Sequence, residues 1–245
     1  MVNYIIWQFK KLLNRDKAGE FLPYRKYLFD ELINLYTKEK FLDKNILEIG
    51  PRDGDDTKRL VGLKPKKLTL IDLPQDNRDG AWLEKIDYNY EFIEENFLYM
   101  KTEKIEALGK FDLIYFTGII YHNAEQLRFV QKLYELLNQN GVLVLESSTI
   151  RNIILRKLNI VQIWHPNSFR NTSTITHLPS KKAIKSWLSM VGFNKIHESN
   201  CFKYENFNIK DTRYACIAEK NIDSLPGKYY TKQSSKSNYL LGKAE

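Results

Sequence analysis

Cysteine is scarce: the 245 residues contain two, Cys201 and Cys216. Neither has a Cys or His at metal-ligand spacing, so no disulfide framework and no metal site is expected. Long apolar runs are also missing. No stretch approaches the roughly 18 to 20 uninterrupted apolar residues of a membrane span. The N-terminus runs through Phe9 into Lys10 and Lys11 without a small-residue cleavage site. A soluble, unexported, cytoplasmic protein is therefore expected. Arginine is in short supply too, with 10 Arg against 28 Lys. The balance of 38 − 30 = +8 permits a polyanionic partner such as RNA, but lysine is the usual solvated surface charge, and no Arg-rich patch stands out.

Apolar material is ample. Hydrophobic residues make up 43% and aromatics 13% of the chain, including 15 Tyr and 13 Phe, which is enough to build a core and excludes wholesale disorder. The length suits one domain, since single cores grow to about 250 residues.

Residues 4–14 place Ile5, Ile6, Phe9, Leu12 and Leu13 at helical spacing, and residues 24–40 place Leu28, Leu32, Ile33 and Tyr36 on one face. These two helices form an expected N-terminal helical cap, residues 1–44. From residue 45 the pattern changes to short apolar runs at 45–49, 68–73, 90–93, 111–116 and 142–146. Runs apolar on both faces belong to a sheet covered on both sides. Helices at 56–63 and 125–138 alternate with them, in a doubly wound, Rossmann-like α/β order. In Gln139-Asn140-Gly141 the glycine is expected to supply the left-handed residue that stops the second helix. Residues 150–178 read as an irregular, lid-like insert. A helix then runs from Pro179-Ser180 to Gly192, followed by strands near 194–199 and 213–219. The core domain is expected over 45–220, and 221–245 reads as a polar, basic tail.

The first strand ends Leu47-Glu48-Ile49-Gly50-Pro51-Arg52-Asp53-Gly54 and feeds a helix. Glycines at such a junction let backbone pass close to a ligand, and helix amides favour polar or anionic groups. The second strand ends at Asp72, 22 residues past Gly50, where a carboxylate can accept hydrogen bonds from two ribose hydroxyls. A dinucleotide-binding loop would need Gly-x-Gly-x-x-Gly, whereas Arg52 stands here where a middle glycine would sit.

The set of residues that follows resembles the class I S-adenosylmethionine-dependent methyltransferases over about residues 45–219. It comprises Leu47-Glu48-Ile49-Gly50 with Gly54, Ile71-Asp72, Phe111-Asp112-Leu113-Ile114 leading to Thr117-Gly118-Ile119-Ile120-Tyr121-His122, and 137–141 before Val142-Leu143-Val144-Leu145-Glu146. The resemblance implies a seven-stranded, mostly parallel sheet with helices on both faces and a last hairpin that inserts one antiparallel strand. It implies S-adenosylmethionine as cofactor. Glu48 would hold the methionine amino end through the loop, Asp72 the ribose and Asn96 the adenine edge, with Thr117 and Gly118 lining the sulfonium. Arg52 and Asn96 depart from the family pattern, in place of a glycine and an acid. Residues 118–122, Trp164-His165-Pro166-Asn167 and the 178–193 segment also resemble, more loosely, the branch holding the tRNA wobble-uridine carboxymethyl-transferring enzymes and their small-molecule relatives. Only about 44 residues precede the first strand here, fewer than in those tRNA enzymes, which favours a small acceptor over RNA.

His122 follows the fourth strand at the carboxyl end of the sheet and titrates near working pH, so it either removes an acceptor proton or hydrogen-bonds the pocket wall. Tyr121 beside it reads as packing. Trp164, His165, Arg170 and His177 lie in the insert, where they would orient an acceptor or serve only the loop. The expected function is transfer of a methyl group to an oxygen or nitrogen of a small molecule or glycan precursor. The alternatives are a tRNA-modifying methyl or carboxymethyl transferase and a non-catalytic scaffold of the same fold.

Overall fold

A computed structural model describes residues 23–74, 83, 85–165, 176–203, 205 and 211–221. The expected helix over 4–14 and the tail beyond 221 lie outside the described residues, as does Arg170.

The sheet has seven strands: β1 (Asn45–Ile49), β2 (Lys67–Asp72), β3 (Tyr90–Glu94), β4 (Phe111–Thr117), β5 (Leu137–Ser148), β8 (Lys195–Glu198) and β9 (Arg213–Lys220). Their order is β3-β2-β1-β4-β5-β9-β8. The first five run parallel, and β9 is inserted antiparallel between β5 and β8. β1 and β4 lie side by side at the centre. There the crossovers change direction and a crevice opens at the carboxyl ends of the strands.

Period-two alternation sends neighbouring residues of each strand into two cores. Ile46, Leu113, Tyr115, Val142 and Val144 join Ala215 and Ile217 on one face. There they meet Tyr24, Leu28 and Leu32 of helix α1 (Pro23–Tyr36) and Leu60 of α2 (Asp55–Val61). On the opposite face Leu47, Ile114, Phe116, Leu143 and Leu145 meet Leu108 of α3 (Thr102–Leu108), Phe129 and Leu133 of α4 (Gln126–Leu136), and Ile184 and Leu188 of α5 (Lys181–Val191). The N-terminal helix is thus a full member of one core. Ser180 caps α5, its hydroxyl oxygen accepting from the Ala183 amide at 2.9 Å.

Three expectations need correcting. The 150–178 insert is not irregular throughout: β6 (Val161–Trp164) and β7 (Thr176–Pro179) form a separate antiparallel pair. The pair is closed by amides of Ile150 and Ser180 donating to the carbonyls of Pro179 (3.1 Å) and Ile160 (2.9 Å). The left-handed residue after α4 is Asn140, at φ 64°, and not Gly141. Asn tolerates this region because its side chain hydrogen-bonds locally. Gly141 is needed for closeness instead, since a Cβ there would sit 2.8 Å from the Asn138 carbonyl oxygen. Finally, α3 was not expected from the sequence at all.

Candidate active site

The turn after β1 carries three left-handed residues, Gly50 (φ 73°), Arg52 (φ 57°) and Gly54 (φ 79°). Gly50 is tied to the end of β2 by its amide, which donates to the Ile71 carbonyl at 2.8 Å, and Gly54 closes the turn onto Pro51 at 2.9 Å. A Cβ on Gly50 would lie 2.1 Å from Cδ1 of Ile119, so glycine is required there by contact as well as by φ. Arg52 keeps the backbone shape of the glycine it replaces and sends its side chain to solvent.

Glu48 lies beneath this turn, 2% exposed. One carboxylate oxygen accepts from the Thr57 hydroxyl of α2 at 2.6 Å. Burial, and then the neighbouring Asp56 charge, push its pKa up to about 8. Asp72 closes β2, 8% exposed, and accepts from the amide of Leu73 at 2.8 Å. Asn96 follows β3 and caps a 3-10 turn, its side-chain oxygen accepting from the Leu98 amide at 3.1 Å. Across the crevice, Thr117 ends β4 and Gly118 (φ 76°) donates to the Glu146 carbonyl at 3.0 Å. Beside Gly118 there is room: a Cβ added there meets only Nη2 of Arg25, at 3.6 Å, within 4 Å.

Charged residues not singled out from the sequence surround this opening. Arg25, from α1, pairs through Nη1 with Oδ2 of Asp56 at 3.0 Å. The other Asp56 oxygen takes Arg59 at 2.8 Å, and Thr117 donates to Oδ2 at 3.4 Å. Both partners of the Arg25 pair are at least nine-tenths buried, and Nε of Arg25 has no hydrogen-bond partner among the described residues. Burial is the largest single influence and opposes the Arg25 charge, yet Asp56, Tyr24, Glu146 and Asp53 together outweigh it and hold the guanidinium above its ordinary value. A second pair is a two-pronged bridge from Arg213 to Glu146, at 2.5 and 2.8 Å, with Nη1 donating to Ser148 at 3.1 Å. The guanidinium carbon of Arg213 stands 5.3 Å from the centre of the Tyr24 ring. No sequence signal marks these contacts, because their partners are 31 and 67 residues apart.

His122 ends a 3-10 turn (Ile120–His122) just past Gly118, half-buried, its ring 4.1 Å from that of Tyr121. Gln126 of α4 donates from Nε2 to the carbonyls of Ile120 (3.1 Å) and His177 (2.6 Å), fastening β7 to this turn. Trp164 is half-buried at the end of β6, and His165 follows it, exposed. Glu48, Gly50, Gly54, Asp72, Thr117 and Gly118 thus gather at the carboxyl ends of β1, β2 and β4, with Asn96 beyond β3 and His122 above β4. Arg52, on the same turn as Gly50 and Gly54, is exposed.

The residues fit a nucleoside carrying an amino-acid arm. The left-handed glycines leave backbone bare, a buried carboxylate, Asp72, ends the neighbouring strand, and Gly118 leaves room next to a buried guanidinium. Among the described residues no helix is long and apolar enough to cross a membrane.

The family described as Methyltransferase domain matches residues 21–198. The chain is similar to the tRNA U34 carboxymethyltransferase of Wolinella succinogenes, 26% identical over 198 residues that span 75% of this chain and 68% of that protein. It is also similar to the enzymes of the same name from Alteromonas mediterranea (25%; 74% of this chain, 51% of that one) and Campylobacter jejuni subsp. jejuni serotype O:2 (27%; 73% and 64%). The chain therefore spans between half and about two thirds of these relatives' lengths. Among solved structures, the fold is shared with the N-terminal domain of EvdMO1 with SAH bound (TM-score 0.59, 15% identity, 79% of this chain and 81% of that one). It is shared too with the glycopeptide N-methyltransferase MtfA complexed with S-adenosyl-L-homocysteine (TM-score 0.54, 11%, 78% and 89%). With this match over most of its length and this fold, the chain belongs to the methyltransferase-domain family, as a class I S-adenosylmethionine-dependent methyltransferase.

Proposed function

We propose that the chain transfers the methyl group of S-adenosylmethionine to an oxygen or nitrogen of a small molecule or glycan precursor, with the donor lying across the carboxyl ends of β1, β2 and β4. The donor supplies a methyl group that is already electrophilic. The protein's share is orientation, exclusion of water and removal of an acceptor proton. In this reading Asp72 accepts hydrogen bonds from the ribose hydroxyls and Asn96 meets the adenine edge. The Gly50–Gly54 turn, held from below by Glu48, passes close to the methionine arm. Thr117 and Gly118 leave space for the sulfonium, and a ring nitrogen of His122 takes the acceptor's proton. Tyr121, Trp164, His165 and Arg170 are the acceptor-side candidates.

One observation carries the choice of a small acceptor. Among the described residues, the two buried arginines by the Gly118 opening, Arg25 and Arg213, are paired with the buried carboxylates Asp56 and Glu146, so neither is left to meet a phosphate backbone. A second reading, carboxymethyl transfer to a tRNA wobble uridine, is favoured by the names of the curated relatives.

The mass of the nucleoside that copurifies with the protein separates the two donors. S-adenosylmethionine or its demethylated product supports the first reading, and a carboxylated form of the donor overturns it in favour of the second. Calorimetry with S-adenosylmethionine tests the first reading directly: no heat at high micromolar ligand sinks it.

A further inference from the structure

We propose that the face built from exposed residues of 151–163 and the outer side of α5 docks on the surface of an anionic phospholipid bilayer. The proposal rests on this surface alone and not on the identity of the acceptor.

Charge is the first argument. Between Glu146 and Glu198 the chain has no Asp or Glu at all, while it carries eight Lys and Arg. Of these, Arg151, Lys157, Lys182, Lys185 and Lys195 are exposed, the last paired with Glu219 at 2.7 Å. Arg156 is taken up by Asp211 and Lys185 by Glu198, whereas Lys157 and Lys182 form no ion pair among the described residues. Beside them lies an open groove of about 570 Å³ lined by Asn159, Lys182, Lys185, Ser186, Ser189 and Met190, a set of cations and hydroxyls suited to phosphate headgroups.

The second argument is apolar. Ile154 is 74% exposed, Ile163 71% and Ile153 61%, with Leu158, Val161 and Met190 exposed around them. On β6 the usual order of a surface strand is reversed: Val161 and Ile163 face water while Gln162 and Trp164 are half-buried. Ser186 of α5 donates to Asn159 at 3.2 Å, and Ser180 is hydrogen-bonded to the carbonyl of Leu158. These bonds set the 158–159 turn against α5, where Asn159 lines one groove with Lys182, Lys185 and Met190.

Exposed branched aliphatic side chains with unpaired lysines nearby in the chain are the composition of an interfacial membrane surface, where the aliphatics enter the acyl boundary and the cations meet anionic headgroups. An RNA-binding face would instead offer aromatic planes for bases to stack on. A second copy of the chain would bring like charges together across the contact.

Sedimentation of the full chain with phosphatidylcholine vesicles, with and without phosphatidylglycerol, tests this. The chain should pellet with the phosphatidylglycerol vesicles and detach as salt rises. Ile154→Glu combined with Ile163→Glu, and separately Lys157→Glu combined with Lys182→Glu, should each lower the partition coefficient by at least about tenfold with thermal unfolding unchanged, as exposed positions allow. The proposal is overturned by wild-type binding in either double variant or by equal binding to phosphatidylcholine alone. It is equally overturned if the Lys157/Lys182 variant loses affinity for tRNA but not for vesicles, or if the Ile154/Ile163 variant only dissolves a dimer.

Discussion

At Arg52 the backbone turns through φ 57°, a region that glycine enters freely and a residue with a Cβ enters at a cost. Arg52→Gly should therefore raise stability by up to about 1 kcal/mol, read from urea denaturation. Gly50→Ala should do the reverse, because the new Cβ meets both an adverse φ and the Ile119 side chain. Glu48 makes stability depend on pH. Its carboxyl is raised to about 8 in the folded chain from an ordinary 4.5, so the folded state binds more protons over that interval. Its contribution is full below about 4.5 and is lost as pH rises through about 8. Glu48→Gln should flatten the fall of Tm between those limits, and parallel Tm-against-pH curves would remove Glu48 as the cause. Asp72→Ala should weaken donor binding by roughly 1.5 to 3 kcal/mol, the scale of charge-assisted hydrogen bonds lost. His122→Ala should lower turnover while calorimetry shows donor affinity almost unchanged. Turnover equal to wild type would leave His122 as a wall of the pocket.

Among the elements, α1 does more than cover the sheet. It packs Tyr24, Leu28 and Leu32 into a core and places Arg25 against Asp56 at the start of α2. Arg25→Met would leave the Asp56 carboxylate in the interior with Arg59 and Thr117 but one partner short, and should cost about 1 to 3 kcal/mol, measured by denaturant titration. Arg25→Lys should restore only part of this, because an ammonium is a compact point charge without the planar fork. Helices α4 and α5 were legible because each carries a broad apolar stripe, with Phe129, Val130 and Leu133 on one and Ile184, Leu188 and Val191 on the other. Helix α3 was not, since Ile105 and Leu108 are its only two large apolar residues and two positions fix no period. The β6 strand, four residues long with Val161 and Ile163 alternating, is likewise too short to fix a period. Its apolar positions face outward, against the usual expectation, and that concealed it in a segment rich in Asn, Ser and Thr.

For the molecule as a whole, ionic strength separates the two acceptor classes. Affinity for tRNA should fall by orders of magnitude between low and moderate salt if several phosphates are contacted, while affinity for a neutral small acceptor should barely move. Filter binding of bulk tRNA across a salt series measures it. The small-acceptor reading expects weak tRNA binding already at moderate salt, and tight binding that persists there would reverse the preference. The net charge of +8 does not decide the matter. It is unevenly spread, with one long segment free of acids, and the surface meeting a polyanion counts for more than the sum.

The sequence by itself determined the sheet and the chain order of the motifs. Short runs apolar on both faces can be buried only between two layers of helices, and the glycine turn and Asp72 sit at strand ends whatever the details of packing. Tertiary structure decided which charges pair: Arg25 with Asp56 and Arg213 with Glu146 depend on how distant segments cross, and no local pattern encodes that. It also decided which aliphatic residues stay in water, because an isoleucine in sequence looks the same whether a neighbour covers it or not. The left-handed backbone at Arg52 belongs there too, forced by a turn anchored to Ile71 on one side and closed on Pro51 on the other.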